Sequence, residues 1–163
     1  MSRAFVKEGS TEPPLVVPRA PLPEGVPNYV TRRGLSELQR ERALLDAARP
    51  AASVDDGAAL VAHHARLSAL EQRIASAVSV DPGALPHDEV RFSAAVTLRD
   101  AAGNERRYRV VGVDEADPGS GRVAFTSPLA RDLTGKRAGD TVTLRHHGAL
   151  TEYEIVGIDY SEE

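Results

Sequence analysis

The sequence has no cysteine and no tryptophan, and its aromatic residues make up only 4% of 163 positions. The absence of cysteine excludes disulfide bonds and thiolate metal sites in this chain. With so few aromatic residues, the core is predicted to consist mainly of Val, Leu, Ile and Ala. No apolar run approaches the roughly 18 residues of a membrane-spanning helix, and the N-terminal segment lacks the apolar centre of a signal peptide. We therefore expect a cytoplasmic protein with no membrane contact.

Neither half of the chain carries the excess positive charge that is typical of an autonomous DNA-binding protein. Residues 1–80 contain 10 basic and 9 acidic side chains, whereas residues 81–163 contain 10 and 15. Binding to a phosphate backbone depends on clustered Lys and Arg. A protein partner is therefore favoured, and we expect the chain itself to be a monomer.

Residues 1–27 are predicted to form a proline-rich tail, because they contain six of the eleven prolines. Proline fixes φ and supplies no amide donor, so regular secondary structure is disfavoured there. A solvated leader is favoured over a short binding motif.

Residues 28–80 have the pattern of an antiparallel helical hairpin, or short coiled coil. Thr31 can cap a first helix whose apolar positions include Leu35, Leu38 and Leu45, and Pro50 ends it. A second helix is predicted from about Gly57 to Val78. It carries a heptad seam with Leu60, Leu67 and Ile74 seven residues apart.

Residues 81–89 form a Pro/Gly linker, and the period then changes to that of short strands. A mostly antiparallel sheet is predicted, with one short helix at about 128–133, so the fold class is α+β. The five predicted strands span approximately Val90–Leu98, Arg107–Val113, Arg122–Thr126, Thr141–Arg145 and Thr151–Tyr160.

Several ordered motifs in residues 90–160 resemble the C-terminal domain of the GreA/GreB transcription elongation factors. They are "F-x-x-x-V-T-L" from Phe92, "YRVVGVDEAD" from Tyr108, "SPLARDLTGKRAGD" from Ser127 and "YEIVGIDY" from Tyr153. The segment "YVTRRGLSELQRER" is similar to the opening of the Gre coiled coil. "PHDEVRF" also resembles the related regulators of nucleoside diphosphate kinase, which have a shortened arm.

This resemblance implies an FKBP-like domain, spanning 90–163, that docks on the rim of the secondary channel of RNA polymerase. The contact residues it implies are Thr126, Ser127, Pro128, Leu129 and Arg131. The local chemistry is compatible, because Thr126 or Ser127 can cap a helix that has Pro128 at its first position. The alternative is a plain connection in which Leu129 and Leu133 pack on the sheet.

Gre factors insert the hairpin tip into the channel, where two tip carboxylates help hold a Mg²⁺ ion for RNA cleavage. Asp55 and Asp56 are the candidate acids here, and Ser53 stands where the family has Asp. Adjacent residues point in different directions, and an Asp before Gly57 commonly caps a helix. The arm also looks shorter than the family's. We therefore expect weak or no stimulation of cleavage, no catalytic residues and no cofactor of its own.

Other classes of function remain as alternatives. These are a true cleavage factor using Asp55, Asp56 and a shared Mg²⁺, a peptidyl-prolyl isomerase, and a regulator acting outside transcription. The adjacent histidine pairs His63-His64 and His146-His147 give little support for a metal site. For the arginines of the first helix, we favour a role as a solvated face over contact with nascent RNA or DNA in the complex.

Overall fold

The first half of the chain folds into two helices, with one short strand before the first helix and another after the second. This computed structural model describes residues 19–50, 57–84, 86–146 and 148–161. Thr31 caps the first helix as predicted, since its hydroxyl accepts a hydrogen bond from the Gly34 amide at 3.0 Å. The elements of this half are β1 (Asn28–Val30), α1 (Arg32–Ala47), α2 (Gly57–Ala75) and β2 (Ala77–Ser79).

Helices α1 and α2 pack against each other through an aliphatic cluster. Val30, Leu38 and Leu70 are its buried centre, and Arg42 and Glu71 form an ion pair of 3.3 Å across the two helices. The prediction of two helices in contact is therefore confirmed. The coiled-coil tip stays a prediction, because residues 51–56, including Ser53, Asp55 and Asp56, lie outside the described part.

Strands β1 and β2 pair in parallel, with Asn28 opposite Ala77, and neither strand was predicted. The predicted second helix continued to about Val78, but α2 ends at Ala75. The Asn28 amide group donates hydrogen bonds to the Arg73 carbonyl at 2.9 Å and to the Ser76 hydroxyl at 3.1 Å. Asn28 and the Ser76 hydroxyl, which also donates to the Arg73 carbonyl at 3.1 Å, thus satisfy a carbonyl in the last turn of the helix.

The second half forms a five-stranded sheet in the order β5-β4-β3-β7-β6. All neighbouring strands are antiparallel except β4 and β5, which are parallel, so the sheet is mixed. Two 3₁₀ turns, at 113–115 and 118–120, connect β4 to β5 and reverse the chain so that the two strands run parallel. The strands are β3 (Ala95–Asp100), β4 (Glu105–Val111), β5 (Arg122–Ala124), β6 (Thr141–His146) and β7 (Ala149–Asp159).

The predicted start of the first sheet strand at Val90 is wrong, because β3 begins at Ala95. Ser93 has a φ of +73°, in the left-handed region, which interrupts an extended chain. Its amide donates to the Val110 carbonyl at 2.9 Å, and its carbonyl accepts from Arg109 at 3.1 Å. Val90 and Ala94 are still fully buried, so the apolar pattern there reflects burial rather than strand.

The core of the sheet is aliphatic, as the composition predicted. Leu98, Val110 and Ile155 are fully buried, and Leu133 of helix α3 (Pro128–Leu133) is buried with them. In the described part of the chain, no helix is long and apolar enough to cross a membrane.

Candidate functional site

Helix α3 is built by local signals that the sequence already shows. Pro128 occupies the first turn, and the Ser127 hydroxyl accepts a hydrogen bond from the Ala130 amide at 3.2 Å. Proline is tolerated there because the first amides of a helix have no partner inside it, so the missing N–H costs no hydrogen bond. The predicted helix is confirmed with its predicted bounds.

The two faces of α3 have different environments. Ala130 and Leu133 are fully buried against the sheet, whereas Pro128 and Arg131 are exposed. Leu129 is half-buried and packs on the edge of the core, so part of the plain-connection alternative also holds. The predicted contact residues therefore lie on one short segment, in which Thr126, Ser127 and Leu129 are half-buried and Pro128 and Arg131 are exposed.

A groove of about 500 Å³ runs along one side of α3. Ser127, Pro128 and Leu129 form one wall. The sheet supplies the other wall, where Leu150 keeps 68% of its surface exposed. The further lining residues include Arg106, Tyr108, Leu144, Arg145 and Tyr153. The groove thus offers apolar surface with a polar rim, a combination that suits an extended peptide segment or a helix of another protein.

A second concave surface, of about 730 Å³, lies on the other side of α3. Arg131 lines it together with the rings of Tyr29, Phe92 and Phe125. The three ring centroids are 5.5 to 5.8 Å apart. Arg131 therefore stands at the edge of an aromatic surface that joins the first and second halves of the chain.

Two acids directly after β4 hold the two halves together, and sequence reasoning gave them no role. The Glu115 carboxylate is buried, accepts from the Thr31 and Gly112 amides at 3.1 Å each, and also contacts the Thr31 hydroxyl. Its position at the start of α1 suits a negative charge. A Cβ on Gly34 would lie 2.1 Å from the Glu115 side chain, so only glycine allows this approach.

Asp114 anchors the arm and the preceding segment. Its carboxylate forms an ion pair with Arg19 at 3.0 Å and with Arg73 of α2 at 3.3 Å. Arg73 also donates to the Ala20 carbonyl. The available signal in the sequence was an acid pair following the buried run Val110-Val111.

The tip acids Asp55 and Asp56 are not among the described residues. Within the described ranges, no group of three or more His, Cys, Asp or Glu side chains could hold a metal ion.

Comparison with known proteins places this sequence in a family. The family model "Transcription elongation factor, GreA/GreB, C-term" matches residues 85–160. The Methylobacterium nodulans transcription elongation factor GreA is 42% identical over 130 residues, covering 79% of this chain and 77% of the relative. The Legionella pneumophila (strain Corby) GreA is 35% identical over 143 residues, covering 86% and 84%. Among solved structures, the GreA/GreB factor from Nitrosomonas europaea is 20% identical, with a TM-score of 0.44 over 81% of this chain and 98% of that one.

The fold defines an α+β protein in which a two-helix unit is fixed to a domain with a mixed sheet. The sequence matches then identify the chain as a member of the GreA/GreB family of transcription elongation factors.

Proposed function

We propose that this protein binds RNA polymerase at the rim of its secondary channel and modulates elongation with weak or no stimulation of transcript cleavage. The contact surface is Thr126, Ser127, Pro128, Leu129 and Arg131, with the helical arm directed into the channel. The family membership supports the partner. The observation that carries the surface is that α3 is fixed by buried Leu133 while Pro128 and Arg131 stay exposed.

A surface of this kind can bind tightly because it is already ordered. Side chains that are held before binding lose less conformational entropy when a partner arrives. Arg131 adds a charged group that can form paired hydrogen bonds with a carboxylate. The groove beside α3 supplies apolar area next to that charge.

The proposed weak cleavage rests on the arm. Helix α1 has 16 residues and α2 has 19. At 1.5 Å per residue these correspond to roughly 24 and 28 Å. A carboxylate contributes nothing to Mg²⁺ unless its oxygen comes within about 2.1 Å of the ion. A short arm whose only tip acids are the adjacent Asp55 and Asp56 is poorly suited to that task.

Competition for core RNA polymerase against a labelled GreA tests the surface. Arg131→Ala and Pro128→Ala are expected to weaken competition about 10-fold, corresponding to ~1.4 kcal/mol. Arg99→Ala is the matched control, because Arg99 forms an ion pair with Glu105 at 2.6 Å and lies on β3 rather than on α3. If the α3 variants compete as well as the unchanged protein, the surface is assigned wrongly. If the unchanged protein does not bind polymerase, the proposed partner is wrong.

A stalled elongation complex tests the second half of the proposal. Addition of the protein is expected to leave the RNA length nearly unchanged while it displaces GreA. Robust shortening of the RNA that is lost on Asp56→Ala would instead identify a true cleavage factor that uses the tip acids.

A further inference from the structure

The segment before β1, residues 19–27, folds back on itself through a tight turn. The Val26 amide donates to the Pro23 carbonyl at 3.1 Å, and Gly25 has a φ of +75° at the third position of the turn. A positive φ at this position favours glycine. The turn reverses the chain, so the residues before it run back towards the base of the helical arm. We call residues 19–27 the strap.

Arg19, at the far end of the strap, pairs with an acid in each half of the chain. Its guanidinium group forms an ion pair with Asp114 at 3.0 Å and another with Glu41 of α1. Asp114 follows β4 in the sheet domain, whereas Glu41 belongs to the arm. The guanidinium group is planar and has five N–H donors, so it can bind two carboxylates at once. Arg19 therefore connects the arm to the sheet domain through a single side chain.

Both ends of the strap also contact Arg73, in the last turn of α2. The Arg73 guanidinium group donates to the Ala20 carbonyl and forms an ion pair with Asp114 at 3.3 Å. At the other end, the Asn28 amide group, directly after the strap, donates to the Arg73 carbonyl at 2.9 Å. The Arg73 side chain is only 9% exposed. Charge pairs that are shielded from water interact more strongly than exposed ones, so these contacts hold the strap against the arm.

The point at which Arg19 holds the arm is distant from the other polar contact between the two halves. Thr31 meets Glu115 at the start of α1, and contacts at one end of a helix leave its far end able to swing. Glu41 lies ten positions further along α1, which is about 15 Å at 1.5 Å per residue. Relative motion is the default for two units joined by a small polar interface. A second restraint at this distance limits that motion more than one at the base would.

We propose that Arg19 is a positioning residue that, through the strap, sets the direction of the helical arm relative to the sheet domain. The functional part of this inference rests on the proposed function, because a set direction matters for an arm that enters a channel. An arm that is held in place before the partner arrives loses less conformational entropy on binding.

Double electron–electron resonance measures the direction of the arm without polymerase. The chain has no cysteine, so Val61→Cys near the start of α2 and Leu150→Cys on β7 provide the two sites for spin labels. Both side chains are largely exposed. The labelled protein is expected to give a narrow distance distribution, which Arg19→Ala broadens about 2-fold. The control Arg99→Ala removes an arginine–carboxylate pair within the sheet and is expected to leave the width unchanged.

Two further variants separate loss of this contact from general loosening of the fold. If Arg19 acts through Glu41, the double variant of Arg19→Ala and Glu41→Ala is expected to be no broader than Arg19→Ala alone. Arg19→Lys keeps the charge without the paired donors, so its width is expected to be intermediate. Additive broadening in the double variant, equal broadening in Arg99→Ala, or an unchanged width in Arg19→Ala would overturn the proposal.

Competition with labelled GreA for core RNA polymerase tests the functional part. Arg19→Ala is expected to compete about 3-fold less well, because a swinging arm must be ordered on binding. A broadened distance distribution with unchanged competition would show that binding does not use the set direction, and that part of the inference would be wrong. If the unchanged protein does not bind polymerase, the proposed function fails, whereas the distance measurement still decides whether Arg19 positions the arm.

Discussion

The amide of Thr31 donates to the buried carboxylate of Glu115, 84 positions further along the chain, at 3.1 Å. The same Thr31 caps α1, so a single residue begins the arm and fastens it to the sheet domain. The arm is thus held by polar contacts at its base, close to the start of a helix where negative charge is favoured. Its orientation depends on a few groups that can be changed one at a time.

Glu115→Gln is expected to lower the free energy of unfolding by about 2–3 kcal/mol, because hydrogen bonds to a buried charge are strong and the oxygen that contacts the Thr31 hydroxyl is replaced by an NH₂ group. Urea denaturation measures this. The control is Glu105→Gln, whose side chain is 49% exposed and pairs with Arg99. Its expected change is under about 0.5 kcal/mol. Equal losses in the two variants would contradict a special role for Glu115.

Gly34→Ala is expected to destabilise the protein although alanine is the better helix former. The added Cβ would lie 2.1 Å from the Glu115 side chain, which cannot move without losing its donors. Overpacking of this kind costs about 1–3 kcal/mol. Gly57→Ala, at the start of α2 where no atom lies within 4 Å, is the control. It is expected to be neutral or stabilising by up to about 1 kcal/mol. A neutral Gly34→Ala would show that the contact is loose.

Tyr160 is expected to make stability fall at alkaline pH. Burial raises the pKa of its phenol above the ordinary value, because the charged form is poorly solvated. The hydroxyl donates to the Glu89 carbonyl at 2.6 Å and accepts from the Arg91 amide at 3.0 Å. The neutral phenol is favoured in the folded state. Its contribution is therefore complete below the unfolded pKa of about 10 and is lost as pH rises through the folded pKa.

Urea denaturation of the unchanged protein and of Tyr160→Phe, from pH 8 upward, measures this contribution. The difference in unfolding free energy is expected to stay constant below about pH 10 and to narrow above it. A difference that stays constant across the alkaline range would show that Tyr160 does not titrate in this way.

A substitution on the buried face of α3 is expected to change stability, whereas one on the exposed face is expected to change binding. Leu133→Ala removes a fully buried side chain and should cost about 2–5 kcal/mol of unfolding free energy. Arg131→Ala, two positions earlier on the exposed face, should leave stability within about 0.5 kcal/mol. Thermal or urea denaturation distinguishes them. A large loss of stability in Arg131→Ala would show that this side chain supports the fold.

Features encoded by neighbouring residues were predicted well. The Thr31 cap and the bounds of α3 follow from side chains within a few positions of one another, whose hydrogen bonds form wherever the helix lies. The aliphatic core follows from composition. The predicted start of the first sheet strand at Val90 was wrong because a distant contact decides the backbone conformation there. Ser93 is left-handed, and its carbonyl accepts a hydrogen bond from Arg109.

In the candidate site too, features encoded by neighbouring residues could be predicted and those formed by distant residues could not. The sequence showed the segment from Thr126 to Arg131, since its Ser-Pro signal and its family motif are contiguous. It could not show the groove beside that segment, because only the folding of β6 and β7 into the sheet brings Leu144, Leu150 and Tyr153 next to α3.

The sequence by itself determined the family, through its ordered motifs. It also determined the two helices, the exposed turn of α3 and an aliphatic core, because each of these depends on local propensity or on apolar periodicity. Only the tertiary structure decided the parallel pairing of β5, the β1–β2 ladder, and the approach of Glu115 to Gly34. These depend on which distant groups meet. A buried carboxylate or a missing Cβ has no energetic meaning until the fold removes water from around it.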